Sequence, residues 1–232
     1  MFQFKQFKIE QDKAGMKVTT DACIFGAYLP VEEKKRIVDI GTGTGLLALM
    51  MAQRSYAQIE AVELDDAAFE QAHDNVRNSK FSNQVTVVHQ AIQSYAKAHL
   101  QEYDLVISNP PFFNNHLKSS KETKNKALHT DTLSFDELLD AAKTMMAITG
   151  TFVVLLPEYE SSLLVENARK KGLYQQRRFV IRHRKDAKIL RIITTFGFDE
   201  CMLEEEEFVI KNQDETYTEA FACLLGAYYL IF

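Results

Sequence analysis

The run DLVISNPPFFN, Asp104 to Asn114, ends an apolar stretch on Asn109, two prolines and two phenylalanines. These residue types suit one task, the orientation of a planar amine. When an amine is conjugated to a ring, its lone pair is delocalised and nucleophilicity is poor, so it must be aimed at an electrophile without being protonated. The side-chain oxygen of Asn109 and the main-chain carbonyl of Pro110 can accept its two N–H bonds. Prolines stiffen the corner and remove N–H groups that would compete for those oxygens. Phe112 offers a face on which a flat base can stack. The plainer alternative is that Pro110 and Pro111 end a strand and the phenylalanines fill the core.

A second constellation lies upstream. VDIGTGTG places Gly41, Gly43 and Gly45 between a β-rich run and a helix-patterned one. Glycines there let a ligand approach the backbone, and a helix start offers free N–H groups. A dinucleotide fingerprint needs G-x-G-x-x-G/A, but its third position is Leu46 here, so that match is incomplete. S-adenosylmethionine, whose loop tolerates G-x-G-x-G, competes for the same turn. Glu63, in AVELD, follows at the spacing of a ribose-binding acid and suits either cofactor. With a sulfonium methyl donor no strong base is required, because alignment is the main task left to the protein.

Elements that could position these groups alternate along the chain. RIVDI, QIEAVE, QVTVVH, YDLVIS and GTFVVLL read as strands, and LLALMMAQR, DAAFEQAHDNVRNS, FDELLDAAKTMM and YESSLLVENARKKG as helices. This is the pattern of βαβ units, hence a parallel sheet covered on both faces. After Gly172, QQRRFVIRH and KILRIITTFGF flank the polar tip RKDA as an antiparallel hairpin. The expected fold is α/β, doubly wound and mostly parallel, with ligands beyond the carboxyl ends of the strands.

At 232 residues and 46% apolar, the chain can bury its core as a single domain over 1–232. Three scattered cysteines, Cys23, Cys201 and Cys223, suggest neither disulfides nor zinc. The histidines have no ligand spacing, so no metal is expected. MFQFKQFKIE alternates Phe with polar residues and reads as a strand, not a signal peptide. The C-terminal AFACLLGAYYLIF is too short to span a bilayer and reads as a docked helix. A cytoplasmic protein with no membrane partner, and a monomer, are expected. The net charge of −5 requires any nucleic acid to meet a local basic patch.

Taken together, VDIGTGTG, AVELD and SNPPFF resemble class I amino-methyltransferases. With FQFKQFKIEQDKAGMKVTTDACIFGAYL, LLALMMAQR, ALHTDTLSFDELL, YTEAF and AYYL, the chain is similar along nearly its whole length to the bacterial tRNA1(Val) adenine-N6 methyltransferases. The resemblance implies a seven-stranded Rossmann-like sheet, S-adenosylmethionine as cofactor, tRNA as partner, and methylation of the exocyclic amine of the adenine next to the anticodon. By position, Asn109, Pro110 and Phe112 would hold the base. Asp39, Gly41, Gly43, Gly45 and Glu63 would hold the cofactor, with Thr20 and Asp21 closing over its methionine end from an N-terminal cap, 1–30. A C-terminal extension spans 201–232. Three positions depart from the family pattern. Ala91 stands where an Asp usually meets the cofactor adenine, leaving that contact to main chain, Ile92, Gln90 or Gln93. Leu128 replaces an Arg, and Thr19 a Gly.

Basic groups that could meet RNA phosphates are the loop with Lys118 and Lys121 and the hairpin tip with Arg184, Lys185 and Lys188. Loop solubility and edge-strand protection are the plainer readings of these charges. The acidic Glu204–Glu207 run should lie away from an RNA. Rival functions are rRNA guanine-N2 or protein-glutamine methylation, and a noncatalytic RNA-binding protein that kept the fold.

Overall fold

The computed structural model describes residues 1–13, 15–111 and 133–232. Phe112, Lys118, Lys121, Leu128 and the rest of 112–132 lie outside the described residues. In chain order the elements are β1 (Phe2–Gln3), β2 (Lys8–Ile9), α1 (Thr20–Tyr28), β3 (Arg36–Ile40), α2 (Leu46–Ala52), β4 (Gln58–Glu63), α3 (Asp66–Arg77), β5 (Val85–His89), α4 (Ile92–Ala98) and β6 (Tyr103–Ser108). Then follow α5 (Phe135–Met145), β7 (Met146–Leu156), α6 (Glu158–Lys170), β8 (Tyr174–Arg182), β9 (Ile189–Gly197), β10 (Glu204–Val209) and α7 (Glu219–Leu225).

The large sheet has the order β10-β8-β9-β7-β6-β3-β4-β5, and only β9 runs against the rest. Strand order reverses around β3 and β6, which pair in parallel from Ile37↔Leu105 to Ile40↔Ser108. The crevice at such a reversal is where doubly wound sheets bind ligands. Period-two alternation sends neighbouring side chains to opposite faces. Ile37, Leu105, Ile107, Val153 and Leu155 join α1 and α2 on one side. Val38, Ile40, Val106, Phe152, Val154 and Leu156 join α4, α5 and α6 on the other. This two-sided burial explains why the strands read as continuous apolar runs.

Three expectations are corrected. The sheet has eight strands, not seven, because the acidic run becomes an edge strand. Glu204, Glu205 and Glu207 of β10 pair with Arg177, Arg178 and Arg182 of β8 at 2.8, 2.9 and 3.1 Å. Each charged row cancels the other, so both tolerate strand geometry at an edge. The N-terminal Phe-rich run is a two-residue-per-strand hairpin instead of one strand. The C-terminal helix ends at Leu225, after which the chain turns so that Tyr228, fully buried, donates its hydroxyl to the Met50 carbonyl at 2.9 Å.

Candidate active site

The loop after β3 is held from several sides. Gly41 and Thr42 donate their N–H groups to the Val62 carbonyl at 2.9 and 3.1 Å, which draws the loop over the end of β4. Gly43 N–H donates to Glu63 Oε2 at 2.8 Å, and Gly45 N–H to the Thr42 carbonyl at 3.0 Å. Gly41, Gly43 and Gly45 all have positive φ. Two of them show why glycine is needed. At Gly43 (φ +59°) a side chain would be strained and would project into open space, where a ligand can approach the backbone. At Gly45 (φ +79°) a Cβ would sit 3.5 Å from Ala72 Cβ, so the loop lies directly against α3.

Below the loop, Asp39 is fully buried and accepts the Thr42 hydroxyl at 2.6 Å on Oδ2, while Oδ1 has no partner among the described residues. Burial pushes its carboxyl up to about 7, against the opposing effect of the Thr42 hydrogen bond; the nearby Glu63 charge adds to the rise. Glu63 takes Gly43 N–H on one oxygen and the Leu64 and Asp65 N–H groups, at 2.9 and 3.0 Å, on the other. A carboxylate offers about four acceptor sites, so these three donors leave capacity for roughly one further donor rather than both ribose hydroxyls.

Opposite the loop stands the end of β6. Ser108 Oγ donates to the Ile40 carbonyl at 2.9 Å and ties β6 to β3 just before the Asn-Pro-Pro corner. Asn109 Oδ1 is buried and has no hydrogen-bond partner among the described residues. A buried amide oxygen without a partner is costly, about 1–3 kcal/mol, and is found where a ligand completes it. Pro110 is buried and Pro111 exposed, so the corner is neither sealed nor loose.

A cleft of about 350 Å³ joins these groups, lined by Gly41 and Glu63 on one side and Ser108, Pro110 and Pro111 on the other. Ile40, Val62, Leu64, Gln90, Ile92, Gln93, Leu133 and Glu137 complete it. Ala91 only caps α4, without a side-chain bond, and does not line the cleft. Its neighbours Gln90, Ile92 and Gln93 take that place. Glu137 was missed by sequence reasoning. Its signal is the S-x-x-E capping box at Ser134, which fixes Glu137 so that it accepts Gln93 Nε2 at 3.1 Å.

Of the expected cofactor residues, Gly41, Glu63 and Ile92 line this cleft, whereas Asp39, Gly43, Gly45 and Asn109 stand in the flanking turn and strand ends and Thr20 and Asp21 belong to α1. Thr20 is exposed at the start of α1, where Thr19 acts as N-cap, a helix-starting role for the departure from Gly. Asp21 pairs with Arg191 of β9 at 2.9 Å, joining the N-terminal cap to the hairpin. At the hairpin tip, Lys185 and Lys188 are exposed, and Arg184 is in a partly exposed ion pair with Glu215. The tip follows β8, which runs with the parallel strands, and therefore lies at the same end of the sheet as the cleft. Among the described residues no group of three or more His, Cys, Asp or Glu is arranged to hold a metal, and no helix is long and apolar enough to cross a membrane.

The site's donor set fits an S-adenosyl cofactor. The open glycine turn at Gly41 and the Glu63 carboxylate, with its residual acceptor capacity, line one crevice, and the unpartnered buried Asp39 oxygen belongs to β3, the strand that ends at that turn. Known proteins agree at the level of family. The methyltransferase small domain family matches residues 17–156. A protein of Dyadobacter fermentans named tRNA1(Val) (adenine(37)-N6)-methyltransferase is 42% identical over 236 residues, covering 100% of this chain and 98% of its own length. The protein of the same name from Cytophaga hutchinsonii is 42% identical over 232 residues, covering 99% and 97%. Among solved structures, one described as a predicted O-methyltransferase of Agrobacterium tumefaciens superposes with a TM-score of 0.70 at 17% identity, over 88% of this chain and 95% of that one, a likeness of fold. The crevice at the strand reversal, the glycine turn and the Asn-Pro-Pro corner are thus those of a class I methyltransferase, and the chain belongs to the tRNA1(Val) (adenine(37)-N6)-methyltransferase family.

Proposed function

We propose that this chain, acting as one domain, transfers a methyl group from S-adenosylmethionine to the exocyclic N6 amine of adenine 37 in a valine tRNA. The observation that carries this reading is the buried, unpartnered Asn109 Oδ1 at the end of β6, next to prolines that share a cleft with the glycine turn. When bound, S-adenosylmethionine supplies an electrophilic methyl group on a cationic sulfur. Asn109 Oδ1 and the Pro110 carbonyl accept the two N–H bonds of the amine and hold its nitrogen on line, and the proton leaves to solvent after transfer. Phe112 takes the stacking role assigned from the sequence.

Glu63 accepts one ribose hydroxyl, the Asp39 oxygen accepts a donor below the turn, and Ile92 with Gln90 or Gln93 contacts the cofactor adenine. Thr20 and Asp21 act at the cap, through the Asp21–Arg191 pair, rather than as walls of the cleft. The base must leave its stack to reach the corner. Lys185 and Lys188, with Lys118 and Lys121 of the basic run that follows the corner in sequence, meet the phosphates. β10 pairs with β8, the strand that leads to this tip, and its Glu204, Glu205 and Glu207 are in ion pairs with Arg177, Arg178 and Arg182, which offsets their charge beside that path.

The test is transfer of labelled methyl from S-adenosylmethionine into purified tRNA, rRNA and protein, followed by nucleoside mass spectrometry of tRNA from cells with and without the gene. N6-methyladenosine in valine tRNA that disappears with the gene supports the proposal. Label confined to rRNA guanine or protein glutamine, or RNA binding without any transfer, refutes it.

A further inference from the structure

The N-terminal strap and the glycine turn meet on a single buried side chain. Asn75 of α3 is only 4% exposed and makes three hydrogen bonds, all to backbone. Its Nδ2 donates to the Thr44 carbonyl, inside the turn, at 2.9 Å and to the Glu10 carbonyl, in the strap after β2, at 2.8 Å. Its Oδ1 accepts Glu10 N–H at 2.9 Å. Both amide donors are therefore spent, one on each segment. One helical turn earlier, Gln71, 3% exposed, accepts Lys13 N–H at 3.1 Å, a contact to the strap alone. Ala72, on the same helix, packs against Gly45.

We infer that Asn75 is a positioning residue for the cofactor turn, coupling the shape of residues 41–45 to the docking of the strap 8–13. The physical reason lies in where the turn's other ties fall. Val62, Glu63 and Thr42 fix the N–H groups of Gly41, Thr42, Gly43 and Gly45. The Thr44 carbonyl faces the helix, and the Asn75 amide meets it there. With that tie absent, Thr44 and Gly43 can rotate together, because left-handed glycines have neighbouring wells of similar energy. The backbone surface left open at Gly41 and Gly43 then loses its preorganisation. Coupling is reciprocal: cofactor bound to the turn must stabilise the strap by the same factor by which the docked strap favours the cofactor. The inference rests on the reading of the turn as an S-adenosylmethionine site.

Two variants separate positioning from mere packing. Asn75→Ala removes the tie to both segments, and Gln71→Ala removes a strap contact only. In Asn75→Ala the dissociation constant for S-adenosylmethionine, by calorimetry, and the cofactor KM rise about fivefold, the effect of one hydrogen bond, while kcat at saturating cofactor stays within about twofold. In Gln71→Ala both stay within about twofold. Hydrogen exchange on the unaltered protein gives a readout that needs no variant: added S-adenosylmethionine slows exchange of the Glu10 amide, although Glu10 hydrogen-bonds to Asn75 and not to the turn. Equal affinity losses in the two variants, unchanged affinity in a folded Asn75→Ala, or Glu10 exchange indifferent to bound cofactor each overturn the inference. An unaltered protein that binds no S-adenosylmethionine overturns the functional reading instead.

Discussion

Asp39→Asn should grow more favourable to stability as pH rises, because the buried carboxyl is held neutral by the fold but ionises freely in the unfolded chain. The folded group titrates at about 7 against an ordinary value of 3.8. Between those values the native state binds more protons than the unfolded state, so stability falls as pH rises and the penalty is complete above about 7. At 1.36 kcal/mol per pKa unit, the penalty is about 4 kcal/mol near pH 8 and about 1.5 kcal/mol near pH 5. Asparagine carries no such penalty. It retains an acceptor for the Thr42 hydroxyl but places an amide N–H where Oδ1 has no partner, at a pH-independent cost of about 1–3 kcal/mol. Relative to the native protein, the variant should therefore gain about 3 kcal/mol between pH 5 and pH 8, whatever the constant offset. Urea unfolding of both proteins without cofactor, at half-unit pH steps, measures that difference. A flat difference across the range would refute the reasoning, since Asp39 would then be ionised and solvated in the native state. The same substitution should weaken S-adenosylmethionine binding by calorimetry, because a buried acceptor has been turned into a donor.

Asn109→Ala should lower kcat by about 10²-fold or more, since amine alignment is lost, while cofactor binding by calorimetry stays close to that of the parent. Transfer at the parental rate would show that Asn109 is not the acceptor. Tyr228→Phe removes the hydroxyl that donates to Met50 O and accepts from Arg54 Nε at 2.8 Å. A loss of about 1–3 kcal/mol in the unfolding free energy from urea titration is expected, and a neutral result would mean that the C-terminal turn does not hold α2 in solution. Replacing Lys185 and Lys188 together by Ala should reduce the slope of log affinity for tRNA against log salt by about 1–2; an unchanged slope places the phosphates elsewhere.

What the sequence determined by itself were the local features whose physics is short-ranged. Continuous apolar runs alternating with helix-patterned ones were enough for a two-sided parallel sheet, and the polar tip after Arg182 was enough for the hairpin. Gly41, Gly43 and Gly45 after β3, Glu63 after β4 and the Asn-Pro-Pro corner after β6 were legible as site residues because parallel strands bring their carboxyl ends to one edge. Tertiary structure alone decided what depends on partners distant in sequence. The Glu204–Glu207 run carries no strand pattern by itself and becomes an eighth strand because it pairs with β8 and its arginines. The spacing of Glu63 marks it as a ribose-binding acid, but only the fold shows that the N–H groups of Gly43, Leu64 and Asp65 occupy most of its acceptor sites. The pairing of Asp21 with Arg191 could not be read from order, and Asn75, 65 residues from Glu10 and 31 from Thr44, carried no local signal at all. Periodicity and turn chemistry act over a few residues and can be read from order alone. Which donor a given acceptor meets is settled only when the packed core brings remote segments within hydrogen-bond reach.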